Sequence, residues 1–191
     1  MAGKTIGVLA LQGDFEAHQK ALNRAGADAI EVRSAEELAN VDGLVIPGGE
    51  SSTMLRLLEV SGLEEPLRRF ADKKPIFGTC AGAILLASGV TRPLQASLSL
   101  MDIEVERNAY GRQLDSRITR LSPDSSRVPG GDLEAVFIRA PIIRKIGEKA
   151  DVLAWYNGDP VLVEQGRHLV ATFHPELTPD TRVHQLFLSK I

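Results

Sequence analysis

Pro75-Ile76-Phe77-Gly78-Thr79-Cys80-Ala81-Gly82-Ala83-Ile84-Leu85-Leu86-Ala87 is the stretch on which the reading of the fold turns. Pro75-Ile76-Phe77 reads as a short buried strand, and Ala83 to Ala87 as the start of a helix. Between them the chain must turn within a few residues, with a cysteine at the apex and a glycine two positions to either side. Glycines so placed relieve crowding at a strained strand-to-helix turn, the geometry of a nucleophile elbow. Working toward the N-terminus, strand-like and helix-like patterns alternate. Thr5 to Leu11 is apolar on both faces. Asp14 is an N-cap candidate for a helix from Phe15 that Gly26 ends. Ala29 to Val32 and Gly43 to Ile46 read as strands, and Ala35–Ala39, Thr53–Val60 and Glu64–Lys73 as helices. Runs apolar on both faces and linked by helices imply right-handed crossovers in an open parallel sheet.

Working toward the C-terminus, the pattern changes. Ile103–Glu106, Ala135–Ile138, Val152–Trp155, Val161–Val163 and Leu169–Phe173 are short strands, several of them joined by turn signals such as Asn157-Gly158-Asp159-Pro160. They predict an antiparallel meander beside the main sheet, closed by a helix from Asp180. The expectation is one α/β domain over residues 1–191: an open, mostly parallel sheet with helices on both faces, plus a smaller antiparallel strand region.

Composition sets the outer limits. The 191 residues carry 22 Lys+Arg and 25 Asp+Glu, a formal charge of −3, with 43% hydrophobic and 25% charged residues. Such a balance excludes a disordered chain and speaks against a nucleic-acid partner. No apolar run approaches the roughly 20 residues of a membrane span. The N-terminus shows no signal-peptide pattern, so a cytoplasmic location is expected. A single cysteine excludes an intrachain disulfide and every multi-cysteine metal motif, and His168 with His174 lack ligand spacing. Neither a metal nor a cofactor is expected.

Three motifs bear chemistry. Cys80 at the elbow would be favoured as thiolate by the helix dipole and a nearby imidazolium; the bland alternative is a buried structural thiol. Phe173-His174-Pro175-Glu176 follows a buried run. In an extended chain His174 and Glu176 would project to the same side, giving a Cys80–His174–Glu176 relay in which the acid fixes the imidazole tautomer. Pro47-Gly48-Gly49-Glu50-Ser51-Ser52-Thr53 joins a strand to a helix, and its glycines free backbone N–H groups to face a ligand or oxyanion. Otherwise it is a tight turn capped by Ser51, Ser52 or Thr53. His18, His168 and His184 have no comparable setting and are expected on the surface or on helix faces.

In this order the three motifs resemble the class I, triad-type glutamine amidotransferases, whose sheet is flavodoxin-like. Val105-Glu106-Arg107-Asn108-Ala109-Tyr110-Gly111-Arg112-Gln113 and Phe137-Ile138-Arg139-Ala140-Pro141 narrow the resemblance to glutaminase subunits of ribose-5-phosphate-dependent pyridoxal 5′-phosphate synthases. The resemblance implies that Cys80 attacks the glutamine amide, His174 shuttles the proton and Glu176 orients His174. It further implies a glutamine site of Gly48, Gly49, Glu50, Arg107, Ile138 and Arg139, and an oxyanion hole at Gly49 and Ala81. The implied partner is a separate (β/α)8-barrel synthase subunit that receives the ammonia for vitamin B6 biosynthesis. Ser52 stands where relatives often carry Thr, which preserves a hydroxyl. The competing readings are a glutaminase serving a different acceptor synthase, an elbow-cysteine peptidase or a redox sensor. In the peptidase relatives a histidine commonly follows the cysteine, whereas Ala81 follows here.

Overall fold

The computed structural model describes residues 3–109 and 116–191. The first half runs β1 (Thr5–Leu9), α1 (Phe15–Arg24), β2 (Asp28–Val32), α2 (Ala35–Ala39), β3 (Gly43–Ile46), α3 (Ser51–Val60), α4 (Glu64–Ala71), β4 (Ile76–Thr79), α5 (Ala81–Leu86) and β5 (Ala87–Thr91). The second half is β6 (Met101–Glu106), β7 (Arg117–Leu121), β8 (Leu133–Phe137), β9 (Ile142–Ile146), β10 (Asp151–Tyr156), β11 (Asp159–Gln165), β12 (His168–Ala171), a 3-10 turn (Pro175–Leu177) and α6 (Arg182–Leu188).

Seven strands form the main sheet in the order β10-β11-β12-β4-β3-β1-β2. From β12 to β2 every pairing is parallel, while β10, β11 and β12 pair antiparallel. The expected meander thus extends the main sheet itself. The strand at Ile103–Glu106 is not part of it: β6 lies between β5 and β9 in a small separate sheet. Likewise β8 pairs with β7 in a two-stranded one. Strands β5, β7 and β9 have no counterpart in the sequence reading. Ala87, read as helix, is instead the first residue of β5.

Two apolar clusters cover the two faces of the sheet. One gathers Leu9, Leu44, Ile46, Met54, Leu58 and Leu67 with α5; the other gathers Ile6, Val8, Val45, Phe77, Leu169 and Phe173 with Phe187 of α6. Alternation along each strand sends Val45 to one side and Leu44 and Ile46 to the other, which is why the strands read as unbroken apolar runs. Sequence signals at element ends hold in part. Helix α1 stops at Arg24, and Gly26 follows at φ +92°, the left-handed turn that glycine enters without a Cβ penalty. Asp14 occupies the N-cap position of α1, but its side chain makes no capping hydrogen bond. Among the described residues no helix is long and apolar enough to cross a membrane.

The topology positions three loops. Strands β12, β4 and β3 are adjacent and parallel, with Ala171 beside Thr79 and Ile46 beside Gly78. Their carboxyl ends therefore lie side by side on one edge, where ligands bind in open sheets of this kind. The segments leaving those ends are the ones that carry His174, Cys80 and Gly48-Gly49.

Candidate active site

Cys80 sits between β4 and α5 at φ +49° and ψ −106°, a conformation that costs a residue with a Cβ. Two contacts enforce it. Its N–H donates to Ala171 O of β12 at 2.9 Å, and the elbow glycines leave no room to relax. A Cβ on Gly82 would lie 2.2 Å from Ile46 O, and one on Gly78 would lie 2.5 Å from Gly82 O. The thiol is 8% exposed, with Sγ 3.9 Å from Ile138 O.

His174 leaves the end of β12 and is anchored by its N–H, which donates to Val136 O of β8 at 2.8 Å. The next residues do not continue as extended chain. Pro175 opens the 3-10 turn, and Glu176 is its second residue. The contact with His174 is made across the start of this turn rather than along a strand face. Nδ1 of His174 lies 2.6 Å from Glu176 Oε1, a charge-assisted distance. Burial disfavours an imidazolium at this place, but the Cys80 sulfur and the Glu176 carboxylate outweigh it and raise the His174 pKa to about 10. Burial raises the Glu176 carboxyl in turn, yet the neighbouring His18 and His174 draw it below its usual range. The far ring nitrogen of His174, Nε2, has no hydrogen-bond partner among the described residues.

A cavity of about 500 Å³ opens over these groups, a volume suited to a small polar molecule. Gly48, Gly49, Glu50, Cys80, Ala81, Arg107, Ile138, Arg139 and His174 all line it, while Glu176 stands behind His174. The Gly48-Gly49 loop closes tightly on the site. A Cβ on Gly48 would meet His174 Cε1 at 2.6 Å, and one on Gly49 would meet Gln12 Oε1 at 2.4 Å. Glu50, and not one of the hydroxyl residues, caps α3: its carboxylate accepts from the N–H groups of Ser52 and Thr53 and from both their hydroxyls. The Ser52 and Thr53 hydroxyls pull the Glu50 pKa down to about 2, so the cavity holds a fixed negative charge. Arg107 Nη2 lies 3.2 Å from Glu50 Oε1, which puts a cation and an anion side by side on the wall. Arg139, at φ +45°, and Ile138 also line the cavity.

Several features escaped the sequence reading. Gln12 Oε1 accepts from Glu50 N at 2.9 Å, tying the loop after β1 to the glycine loop. Asp14 and Asn108 also line the cavity. His18 and His184 are helix residues, as expected, but face inward and are fully buried against Glu176 and each other. Their helical spacing from apolar neighbours, Ala21 and Leu22 or Leu186 and Phe187, was the available signal. His168 is half-buried, with Nδ1 accepting from Ile76 N. Tyr110, Gly111, Arg112 and Gln113 of the quoted block lie outside the described residues. Among the described residues no three His, Cys, Asp or Glu side chains gather as metal ligands.

Residues 8–191 match the model of the SNO glutamine amidotransferase family. A protein of Solibacter usitatus described as pyridoxal 5′-phosphate synthase subunit PdxT is 61% identical, over 98% of this chain and 100% of that one. The PdxT subunit of Shouchella clausii is 49% identical over 97% of this chain and 94% of its own. Among solved structures, one described as a glutamine amidotransferase superposes with a TM-score of 0.88 at 46% identity, covering 97% of both chains. PurLQS from Thermotoga maritima, at 17% identity and a TM-score of 0.77, shares the fold.

Proposed function

The chain belongs to the SNO glutamine amidotransferase family, and from that premise we propose how its residues release ammonia from glutamine. The enzyme hydrolyses L-glutamine to L-glutamate and ammonia. In the proposed course the α-ammonium of glutamine pairs with Glu50 and its α-carboxylate with Arg107 and Arg139, which extends the γ-amide toward Cys80. The Cys80 thiolate attacks the amide carbon. Negative charge develops on the carbonyl oxygen, which the backbone N–H groups of Gly49 and Ala81 receive. The His174 imidazolium then protonates the amide nitrogen, the C–N bond breaks and ammonia leaves a γ-glutamyl thioester on Cys80. Water attacks that thioester as His174 takes its proton. Glutamate departs, and the thiolate–imidazolium pair is restored. Throughout, Glu176 keeps Nδ1 of His174 protonated, so that Nε2 faces the chemistry.

The observation that carries this reading is the 2.6 Å contact between Glu176 and His174, a histidine that interacts with the strained Cys80 and lines the same cavity. Residues 1–191 act as one glutaminase domain. The proposed acceptor is the (β/α)8-barrel subunit of a pyridoxal 5′-phosphate synthase, consistent with the description of the 61% identical relative. Direct transfer keeps ammonia from being protonated in bulk water and requires the barrel to face the Cys80 edge. The cytoplasm is the fitting compartment, since a reactive thiol stays reduced there. The test is glutamate release with and without the barrel subunit. Turnover should rise on adding the barrel, and Cys80→Ala should abolish it in both cases. Equal rates with and without the barrel would refute activation by the partner, and activity in the alanine variant would refute the assigned nucleophile.

A further inference from the structure

Behind the cavity, on the side away from substrate, lies a line of buried polar groups that the reaction scheme leaves without a task. Glu176 has no exposed side-chain surface, and its Oε1 is taken by His174. Its second oxygen, Oε2, has no hydrogen-bond partner among the described residues. Nε2 of His18, on α1, lies 3.4 Å from it, an electrostatic contact rather than a hydrogen bond. The same nitrogen lies 2.9 Å from Thr79 Oγ1, the residue immediately before the elbow cysteine. The other nitrogen of His18, Nδ1, lies 3.0 Å from Nε2 of His184 on α6. Phe77 of β4 packs edge-on against both imidazoles, at 6.3 and 5.8 Å between ring centroids, and so fixes their planes.

The proton arrangement follows from these contacts. One of the facing nitrogens, His18 Nδ1 or His184 Nε2, donates and the other accepts. Were His18 the donor, its Nε2 would turn a lone pair toward the Glu176 carboxylate. His184 would then carry its own proton on Nδ1, a buried nitrogen with no partner. The Thr79 hydroxyl could then donate to the His18 lone pair, but the Glu176 oxygen would face no donor from His18, and a buried donor on His184 would go unsatisfied. With His184 donating to His18, the proton of His18 sits on Nε2, where it is hydrogen-bonded to Thr79 Oγ1 and presents the positive end of the N–H dipole 3.4 Å from Glu176 Oε2. The orphan atom is then an acceptor, the lesser penalty. Burial is the largest influence on both rings and favours their neutral forms at neutral pH, lowering their pKa values against the pull of the Glu176 carboxylate.

We propose that His18 is a positioning residue of the glutaminase: its Nε2–H, its tautomer set by His184, holds the free oxygen of Glu176 and so fixes the plane of the carboxylate that orients His174. The inference rests on the reaction assigned above. It extends the constellation from three residues to five, reaching into two helices on the far side of β4. An acid with one unheld oxygen could rotate about its Cγ–Cδ bond, weakening the alignment on which proton delivery to the leaving nitrogen depends.

The test combines a wild-type measurement with two variants. Nitrogen-15 spectra of the full chain labelled at histidine should show His18 at neutral pH with Nε2 protonated and Nδ1 bare. The reverse tautomer, or an imidazolium, would overturn the proposal without any substitution being made. In glutaminase assays of the complex with the barrel subunit, His18→Leu should lower kcat by roughly tenfold or more, with KM for glutamine within about twofold. His18→Gln, whose amide places an N–H near the position of Nε2, should recover most of that loss. Equal kcat for the leucine variant and wild type would overturn the assignment, as would a glutamine variant no better than a folded leucine variant. If the leucine variant fails to fold, the tautomer alone decides. Absence of turnover in the wild type would strike at the glutaminase reading itself, leaving the tautomer result to judge His18 separately.

Discussion

At the scale of single residues, the site depends on what is missing from Gly48 as much as on the groups present. A methyl group there would lie 2.6 Å from His174 Cε1 and 3.4 Å from Cys80 Cβ. Glu176 holds the adjacent ring atom Nδ1, which would itself lie 3.3 Å from the added carbon, so a displaced imidazole disturbs the 2.6 Å contact. Gly48→Ala should therefore lower kcat by about a hundredfold, the scale of an ångström's misplacement of a catalytic group, while the melting temperature changes little. Steady-state kinetics beside a thermal melt check this; an alanine variant with normal kcat would show that the ring has slack. Much of this was legible in the sequence, because Cys80, His174 and the double glycine are residue types whose chemistry depends little on context. Gln12, His18 and His184 were not legible in the same way. Their roles arise from partners 38, 158 and 166 positions away along the chain, and no local pattern encodes such a meeting.

At the scale of elements, the elbow is a three-way junction of β4, α5 and β3. Gly82 brings the first turn of α5 against the carbonyl of Ile46, and an added Cβ would sit 2.2 Å from that oxygen. The obstacle is backbone, which cannot swing aside as a side chain can. Gly82→Ala should destabilise the fold by about 3 kcal/mol, read as a lower urea midpoint with an unchanged slope. A midpoint equal to wild type would mean that α5 docks more loosely than this geometry requires. The parallel half was readable at this scale because strands covered on both faces are continuous apolar runs between helices. The small sheets were not. Strand β7, Arg117-Ile118-Thr119-Arg120-Leu121, is mostly exposed and mixes two arginines and a threonine with only two apolar residues, so it carries no buried-strand signal. Strand β9 buries only its first two residues, and β5 continues directly from a helix with no turn signal between them. The His-Pro-Glu motif shows the same limit in miniature: its side chains meet as expected, but through a 3-10 turn that the extended reading did not contain.

At the scale of the whole molecule, the histidines tie stability to pH in opposite directions. Burial lowers His18, and also lowers His184 to about 3 and His168 to about 4, against an ordinary value of 6.5. The unfolded chain takes up these protons first, so stability falls as pH drops from about 6.5 toward 3. Glu176, drawn below its usual range, adds a further loss below about 4.5. His174 acts the other way. Burial opposes its charge, but Cys80 and Glu176 raise its pKa to about 10, so its contribution is complete below 6.5 and is lost as pH climbs toward 10. The urea midpoint should peak near neutrality and fall more steeply on the acid side, where three histidines act together; a midpoint that rises between about pH 6.5 and 4.5 would contradict the assignment of neutral buried rings. The central claim, that one strained cysteine braced by an imidazole–carboxylate pair breaks the glutamine amide, is tested most directly by covalent trapping. The complex with the barrel subunit is treated with a chloroketone analogue of glutamine, and the modified peptide is located by mass spectrometry. The expected result is one adduct per chain on Cys80, slowed by excess glutamine and nearly absent in His174→Asn. Labelling elsewhere, or labelling of Cys80 that neither glutamine nor the loss of His174 affects, would contradict it.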